Sequence, residues 1–247
     1  MDLRLAHISM QHSDTAAQQR SDAHRIFNRA LGMHYAWITG TEANSFAVAR
    51  IFSEEAIKAG FRFVRGGDCW IAVPLSRIAG RWRREWTKVI DGQAGKFPDR
   101  GVLRASWDDK THGDTTVLAS HYQTKRTSAK RPQDNIAISV EIGKQGKIHG
   151  DGRRLCFYGG DQNITDRTGD TFKGKPFTSC WDELEKWPNT GHDNIDVIAS
   201  YDYDHRVTAK SAQALTDKDF HLHSDHFLIE ATYAVAPLNP KHKAAKT

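Results

Sequence analysis

The sequence has little cysteine and no long hydrophobic run. Its three cysteines, Cys69, Cys156 and Cys180, include no CxxC pair, which argues against a disulfide framework and favours a reducing compartment. No stretch approaches the roughly 20 uninterrupted apolar residues that a membrane span needs. Residues 1–5 show no basic stretch followed by an apolar one, so we expect no signal peptide. These absences predict an intracellular, cytoplasmic protein with no membrane association.

The sequence also lacks internal repeats, low-complexity linkers and abrupt changes in composition. Its length of 247 residues is sufficient for one domain with a sizeable core. We therefore predict a single domain over residues 1–247, closed by a basic tail at about residues 237–247.

Basic residues exceed acidic ones, which gives a formal charge of +5 and a pI of about 9.1. Such an excess favours polyanionic partners. Part of this excess of basic residues lies between residues 77 and 99. This segment has no clear periodicity, and we interpret it as a loop-like excursion on the side of the protein that binds substrate. Cations beside aromatic rings suit phosphate contact and base stacking. A solvated basic face is the alternative interpretation. The predicted substrate-binding residues in this segment are Arg81, Trp82, Arg83 and Arg84.

Hydrophobic periodicity predicts more strands than helices. Helical spacing and capping signals predict helices at residues 14–31, 46–59 and about 132–147, with a short helical piece near 181–187. Short apolar runs predict strands at residues 3–10, 35–39, 61–64, 69–74, 101–107, 115–121, 154–158, 195–200, 204–209 and 227–235. Long helices between strand pairs fit an α/β (α+β) fold, with two packed, mostly antiparallel sheets flanked by helices.

Polar side chains that could carry chemistry stand at the ends of several predicted strands. Carboxylate and amide oxygens are ligands for hard cations such as Mg²⁺, for which one or two carboxylates suffice. Phosphodiester cleavage also requires a group that activates water and positive charge near the phosphate. His121 and His226 could supply these. The full set is Gln11, Glu42, His121, Asp161, Asn163, Asp225 and His226.

These residues lie in motifs that resemble, in the same order, those of the endonuclease/exonuclease/phosphatase superfamily, which includes deoxyribonuclease I and the apurinic endonucleases. Two motifs are intact: G-D-x-N at residues 160–163 and S-D-H at residues 224–226. Further matches are a strand that ends on Glu42, one that ends on His121 and one that opens with Asp196. The resemblance extends from about residue 3 to residue 235.

The first-strand position departs from the family pattern. The family has an Asn beside the metal at the end of this strand, whereas the matching residue of this chain is Gln11. The amide carbonyl is retained, but it lies one methylene further from the backbone. Gln11 is therefore a predicted metal ligand, with His12 or Ser13 as the alternatives.

The resemblance implies a four-layer αββα sandwich that hydrolyses phosphodiesters with Mg²⁺, or with Mn²⁺ in its place. By this resemblance Glu42 would hold the metal, with Asp225 beside it. Asp161 would orient or deprotonate the attacking water, and Asn163 would contact the phosphate.

The same resemblance assigns the positive charge of the site. His226, paired with Asp196, would stabilise the charged transition state. His121 would contact the phosphate or protonate the leaving group. Arg100 resembles a phosphate-binding arginine of the nucleases.

Nucleic acid is the expected substrate, with DNA favoured over RNA, and the oligomeric state stays open. Sphingomyelin and inositol-phosphate hydrolases share these motifs, so a phosphoester outside nucleic acid is one alternative. A second alternative is a zinc hydrolase, because residues 221–226 also spell H-x-H-x-D-H, which resembles the zinc motif of metallo-β-lactamase-type hydrolases. That motif runs into a helix in its own family, whereas here it precedes a predicted strand.

Overall fold

The computed structural model describes residues 2–10, 15–42, 45–92, 98–123, 130–150, 154–163, 177–186, 188–190, 196–201 and 206–237. Gln11, its alternatives His12 and Ser13, and the basic tail from residue 238 onward lie outside the described residues.

Within these residues the strands form two six-stranded sheets. The first sheet contains, in spatial order, β11 (Val207–Leu215), β12 (Leu228–Val235), β1 (Asp2–Ser9), β2 (Trp37–Thr41), β4 (Cys69–Pro74) and β3 (Phe61–Gly66). The second contains β5 (Ile78–Ile90), β6 (Arg100–Asp109), β7 (Gly113–His121), β8 (Leu155–Asp161), β10 (Asp196–Tyr201) and β9 (Phe177–Ser179). Neighbouring strands are antiparallel except for the parallel pairs β1–β2 and β7–β8. The expectation of two mostly antiparallel sheets is confirmed.

Helices cover the outer faces of both sheets. They are α1 (Ala16–Gly32) and α2 (Phe46–Lys58) on the first sheet, and α3 (Arg131–His149) and α4 (Cys180–Glu183) on the second. On α1, Ala23, Ile26, Phe27 and Ala30 follow helical spacing and are all buried. The four layers therefore follow the predicted αββα order. In the described parts of the chain, no helix combines the length and the apolar character needed to cross a membrane.

The two sheets pack face to face through an apolar layer. Trp37 of the first sheet meets Phe157 and Trp107 of the second, with ring centroids 4.8 Å and 5.8 Å away. Tyr233 of the first sheet also meets Phe157, at 5.4 Å. Aromatic burial of this kind stabilises by about 25 cal/mol for each Å² of apolar surface removed from water. These contacts determine the position of one sheet on the other, and therefore which strand ends of the two sheets lie face to face.

The segment between residues 77 and 99 differs from its prediction, because most of it is the edge strand β5. Trp82 and Trp86 are partly buried and pack against the core between the sheets, whereas Arg83 and Arg84 are exposed. Charged residues are common on edge strands, where they protect an unpaired backbone. They also interrupt the apolar run by which a strand is recognised in sequence.

Candidate active site

Strands from both sheets bring polar side chains together at one end of the sandwich. On the second sheet the strand register places His121, Asp161 and Asp196 in one row across β7, β8 and β10. On the first sheet Glu42 directly follows β2, and His226 stands shortly before β12. Ligand atoms of Glu42, Asp161 and His226 all lie within 4.8 Å of one another. The fold thus joins residues that are far apart in sequence.

A serine hydroxyl links the two carboxylates at the centre of this cluster. Ser9 Oγ lies 3.1 Å from Glu42 Oε2 and 3.2 Å from Asp161 Oδ2. It also accepts a hydrogen bond from Thr41 Oγ1 at 2.9 Å. Ser9 lies in the first-strand segment that resembles the family motif, but the sequence assigned the metal-ligand position there to Gln11. The strand register places Ser9 opposite Thr41, one residue before Glu42. Among the described residues of the first strand, Ser9 is the one that contacts both carboxylates.

Asp161 is buried and is held by the turn that follows it. Burial raises the pKa of Asp161 to about 6; the charge of His121 opposes this rise, and neighbouring carboxylates add to it. The backbone N–H of Asn163 donates to Asp161 Oδ1 at 2.9 Å, and its side-chain amide donates to the Tyr122 carbonyl at 3.0 Å. Asn163 adopts a φ of 48°, a left-handed conformation that Asn tolerates. A carboxyl group that titrates near neutral pH can accept a proton from water.

His226 is held by a buried carboxylate. Its Nδ1 lies 2.6 Å from Asp196 Oδ2. Its backbone N–H donates to Ser224 Oγ at 3.1 Å, and the Ser224 hydroxyl donates to the Ser9 carbonyl at 2.8 Å, which ties the S-D-H segment to the end of β1. Burial alone would lower the pKa of His226, but the charge and hydrogen bond of Asp196 outweigh it and raise the pKa to about 10. The pair is therefore an imidazolium and a carboxylate at neutral pH.

His121 is held by a second buried carboxylate, Asp68, which belongs to none of the sequence motifs. His121 Nδ1 lies 2.7 Å from Asp68 Oδ2, and the Arg100 guanidinium contacts both side chains. Burial would raise the pKa of Asp68, but His121 and Arg100 outweigh it and lower the pKa to about 2. His121 Nε2 lies 3.6 Å from both Glu42 Oε1 and Asp161 Oδ2. His121 Nε2 has no hydrogen-bond partner among the described residues, and it faces the two carboxylates.

Asp225 lies at the solvent-exposed side of the cluster. Its side chain is 42% exposed, and its Oδ1 lies 3.9 Å from His226 Nε2. It is close to the three residues with converging ligand atoms but is not one of them. Its assignment as a metal ligand beside Glu42 stays a prediction.

The predicted substrate-binding residues separate into two groups. Arg100 opens β6 at the site end of the second sheet. Arg84 pairs with Ala105 and Arg83 with the next residue of β6. The strand from Arg100 to Ala105 covers about 16 Å at roughly 3.3 Å per residue. The structure therefore does not bring Arg83 and Arg84 to the carboxylates.

Arg81 and Trp82 lie still further along β5 and have local partners. The Arg81 guanidinium lies 3.2 Å from the Asp108 carboxylate and 2.9 Å from that of Asp114. The Trp82 ring packs against Trp107, with centroids 6.0 Å apart. Both side chains are accounted for by the packing of the edge strand, which disfavours a direct role at the reacting phosphate.

The histidines of the zinc alternative have other partners. His223 Nδ1 lies 2.8 Å from Asp22 Oδ1 on α1, and its backbone N–H also donates to this buried carboxylate. His221 is exposed and lies 3.6 Å from Asp217. Of the H-x-H-x-D-H segment, only His226 reaches the carboxylate cluster. The structure therefore contradicts a zinc site built from this segment, because Asp22 turns His223 towards α1.

Comparison with known proteins gives matches in structure. No protein-family model and no curated protein sequence match the chain. An endonuclease/exonuclease/phosphatase from Bacteroides vulgatus has a TM-score of 0.73 at 13% identity, over 96% of this chain and 100% of that one. The chain has the endonuclease/exonuclease/phosphatase fold. This confirms the fold that the sequence motifs implied.

Two further solved structures share this fold. D. rerio TDP2, complexed with a single-strand DNA product, has a TM-score of 0.71 at 15% identity, over 95% of this chain and 99% of that one. A Bacteroides thetaiotaomicron mannosyl-6-phosphatase has a TM-score of 0.67 at 13% identity, over 94% of this chain and 99% of that one. Proteins with this fold thus include one bound to a nucleic-acid product and one that acts on a sugar phosphate.

The donor set of the cluster fits a divalent cation that prefers oxygen. Glu42 and Asp161 present carboxylate oxygens around the Ser9 hydroxyl, and Mg²⁺ is bound by one or two carboxylates while it retains waters or substrate oxygens. His226 lies within the same space, and Asp196 binds its Nδ1 and raises its pKa, which favours the imidazolium, a hydrogen-bond donor, at this position. These donors therefore suit Mg²⁺ or Mn²⁺ better than Zn²⁺.

Proposed function

We propose that this chain hydrolyses phosphodiester bonds with a divalent cation, and that nucleic acid is its substrate. The observation that carries the proposal is the convergence of Glu42 and Asp161 with His121 and His226 at one end of the sandwich. Each histidine is oriented by its own buried carboxylate. Such a cluster supplies metal ligands, a proton acceptor for water and positive charge for the phosphate, which this reaction requires.

In the proposed reaction Asp161 accepts a proton from water as the water oxygen forms its bond to phosphorus. The bond from phosphorus to the leaving oxygen breaks, and His121 Nε2 contacts the phosphate or gives a proton to that oxygen. The His226 imidazolium donates a hydrogen bond to the charged phosphoryl group. Arg100 and Asn163 add contacts to the phosphate.

Glu42 and Asp225 would hold the metal, with Gln11 as the third predicted ligand. The Ser9 hydroxyl, which lies between Glu42 and Asp161, is a further oxygen at this position. A bound Mg²⁺ or Mn²⁺ would supply Lewis-acid charge and lower the pKa of a coordinated water. Asp161 lies beside this position, where its carboxylate would accept the proton of the attacking water.

The nucleic-acid assignment is supported by charge and by similarity. The chain has a net charge of +5, and Arg83 and Arg84 are exposed on β5. D. rerio TDP2, which shares the fold, is described with a single-strand DNA product, and we propose DNA ahead of RNA. The alternative is a smaller phosphoester, since a mannosyl-6-phosphatase also shares the fold.

Hydrolysis is tested with purified protein and Mg²⁺ or Mn²⁺ on plasmid, single-stranded DNA, RNA and bis(p-nitrophenyl) phosphate, each with and without EDTA. We expect activity that EDTA removes and that Asp161→Asn lowers by about 10²–10⁴-fold, the usual contribution of a general base. The control is Asp217→Asn, which removes an exposed carboxylate that contacts His221 and not the cluster residues Glu42, Asp161 and His226. Equal activity of Asp161→Asn and wild type would refute the proposed mechanism.

The substrate class is tested with the double variant Arg83→Glu/Arg84→Glu. If both arginines contact phosphates of a long strand, the slope of log K against log salt should fall by about 2, with weaker binding. Turnover of bis(p-nitrophenyl) phosphate should not change, because this substrate is too small to reach β5. The charge-matched control is Arg50→Glu/Lys58→Glu on α2. Identical DNA binding by wild type and the β5 variant would favour the small-phosphoester alternative.

A further inference from the structure

A second histidine lies on the far side of Asp196. His7, on β1, is fully buried, and its Nε2 lies 3.4 Å from Asp196 Oδ1, the oxygen that His226 does not use. Its Nδ1 lies 2.9 Å from Thr39 Oγ1. The Asp196 carboxylate is thus enclosed between two imidazoles.

The contact between His7 and Asp196 brings together two buried polar atoms, His7 Nε2 and Asp196 Oδ1. Neither His7 Nε2 nor Asp196 Oδ1 has a hydrogen-bond partner elsewhere in the described parts of the chain. A buried polar atom without a partner is destabilising, and at 3.4 Å each of these two atoms is the polar neighbour that the other faces. Burial lowers the pKa of His7, so its ring is neutral and carries one proton. With that proton on Nε2, the ring donates towards the Asp196 carboxylate, and Nδ1 lies 2.9 Å from Thr39 Oγ1.

Gly159 of the second sheet lies beside the His7 ring and its neighbour Thr39. A Cβ added to Gly159 of β8 would lie 3.4 Å from His7 Nδ1 and would collide with the Thr39 hydroxyl. The second sheet therefore approaches the ring closely at a position without a side chain.

We infer that His7 is a positioning residue, which acts through Asp196 to fix the orientation of the His226 imidazole. A carboxylate held by one oxygen can rotate about its Cβ–Cγ bond. A second contact on the other oxygen fixes the plane of the group, and with it the direction in which His226 Nε2 points. The inference rests on the proposed function for its effect on catalysis, but its effect on His226 is independent of activity. Outer partners of this kind typically change activity about 10–100-fold.

Two variants separate positioning from simple core packing. His7→Gln retains an N–H donor near the position of Nε2, whereas His7→Leu retains apolar volume and loses the donor. In the metal-free protein, histidine ¹H–¹⁵N spectra report the proton on His226 Nδ1. We expect its exchange with water to be at least about 10-fold faster in His7→Leu and close to wild type in His7→Gln. With metal, kcat on bis(p-nitrophenyl) phosphate should fall about 10–100-fold in His7→Leu, with a smaller change in KM.

An unchanged His226 signal in folded His7→Leu would overturn the inference and leave His7 as an ordinary core residue. If His7→Leu does not fold, His7→Asn replaces it, because its amide retains a polar atom near Thr39 but is too short to reach Asp196. If the wild-type protein hydrolyses no phosphodiester, the proposed function fails. The exchange measurement still decides whether His7 positions His226.

Discussion

The ion pair between His226 and Asp196 predicts that the unfolding free energy of the metal-free protein falls as the pH rises. The pKa of His226 is about 10 in the folded protein, against an ordinary value of 6.5. Because the folded pKa is raised, the stabilisation is fully present below pH 6.5 and is lost as the pH rises through 10. At about 1.4 kcal/mol per pH unit, the loss between pH 7 and pH 9 is roughly 2–3 kcal/mol. That is a large fraction of the total stability of a typical domain, about 5–15 kcal/mol.

The measurement is urea denaturation of wild type and His226→Gln at pH 7, 8 and 9 in the presence of EDTA. Burial raises the pKa values of Cys69, Cys156 and Cys180, so these thiols also reduce stability at alkaline pH. They contribute equally to both proteins, and the difference between the two isolates the ion pair. We expect this difference to shrink by about 2–3 kcal/mol from pH 7 to pH 9. A difference that stays constant would refute the assignment of His226 as an imidazolium.

Three further substitutions test individual contacts. Asp22→Ala removes the carboxylate that binds His223, so we expect urea denaturation to show a loss of about 2–3 kcal/mol; an unchanged midpoint would contradict this contact. Gly159→Ala places a methyl group against the Thr39 hydroxyl, and overpacking of this kind should cost about 1–3 kcal/mol, seen as a lower Tm. A wild-type Tm would show that the two sheets have room there. Asp68→Asn should lower kcat by roughly 10–100-fold with an unchanged circular dichroism spectrum, and a wild-type kcat would exclude a role for Asp68 in orienting its histidine.

The architecture and much of the site are predictable because they depend on local patterns. Apolar runs that end abruptly in a carboxylate or histidine mark Glu42, His121 and Asp161, and the strand register brings these residues to one end of the sandwich. The G-D-x-N and S-D-H motifs also follow each other along the chain in the same order as in the family that the sequence resembles. The local sequence therefore predicts well which strand end carries each carboxylate or histidine.

Other parts of the site depend on contacts between segments distant in sequence. Ser9 and Asp68 are ordinary residue types, and only the packing of one sheet on the other shows that they contact the carboxylates and His121. His7 is a single histidine in an apolar strand, which by itself is typical of a core position. The edge strand β5 was not predicted, because about half of its residues face water. Its two tryptophans, Trp82 and Trp86, have a spacing that is compatible with either a helix or a strand.

The topology also determines when during synthesis the site becomes complete. Strand β1, near the start of the chain, pairs with β12, near its end, so the first sheet closes only after the second sheet has been made. His226 is supplied by the same late segment. A nascent chain that has emerged only as far as Asp196 has most of the cluster but neither this imidazolium nor the strand that flanks β1. The cluster is therefore complete only once the segment that carries His226 has been made.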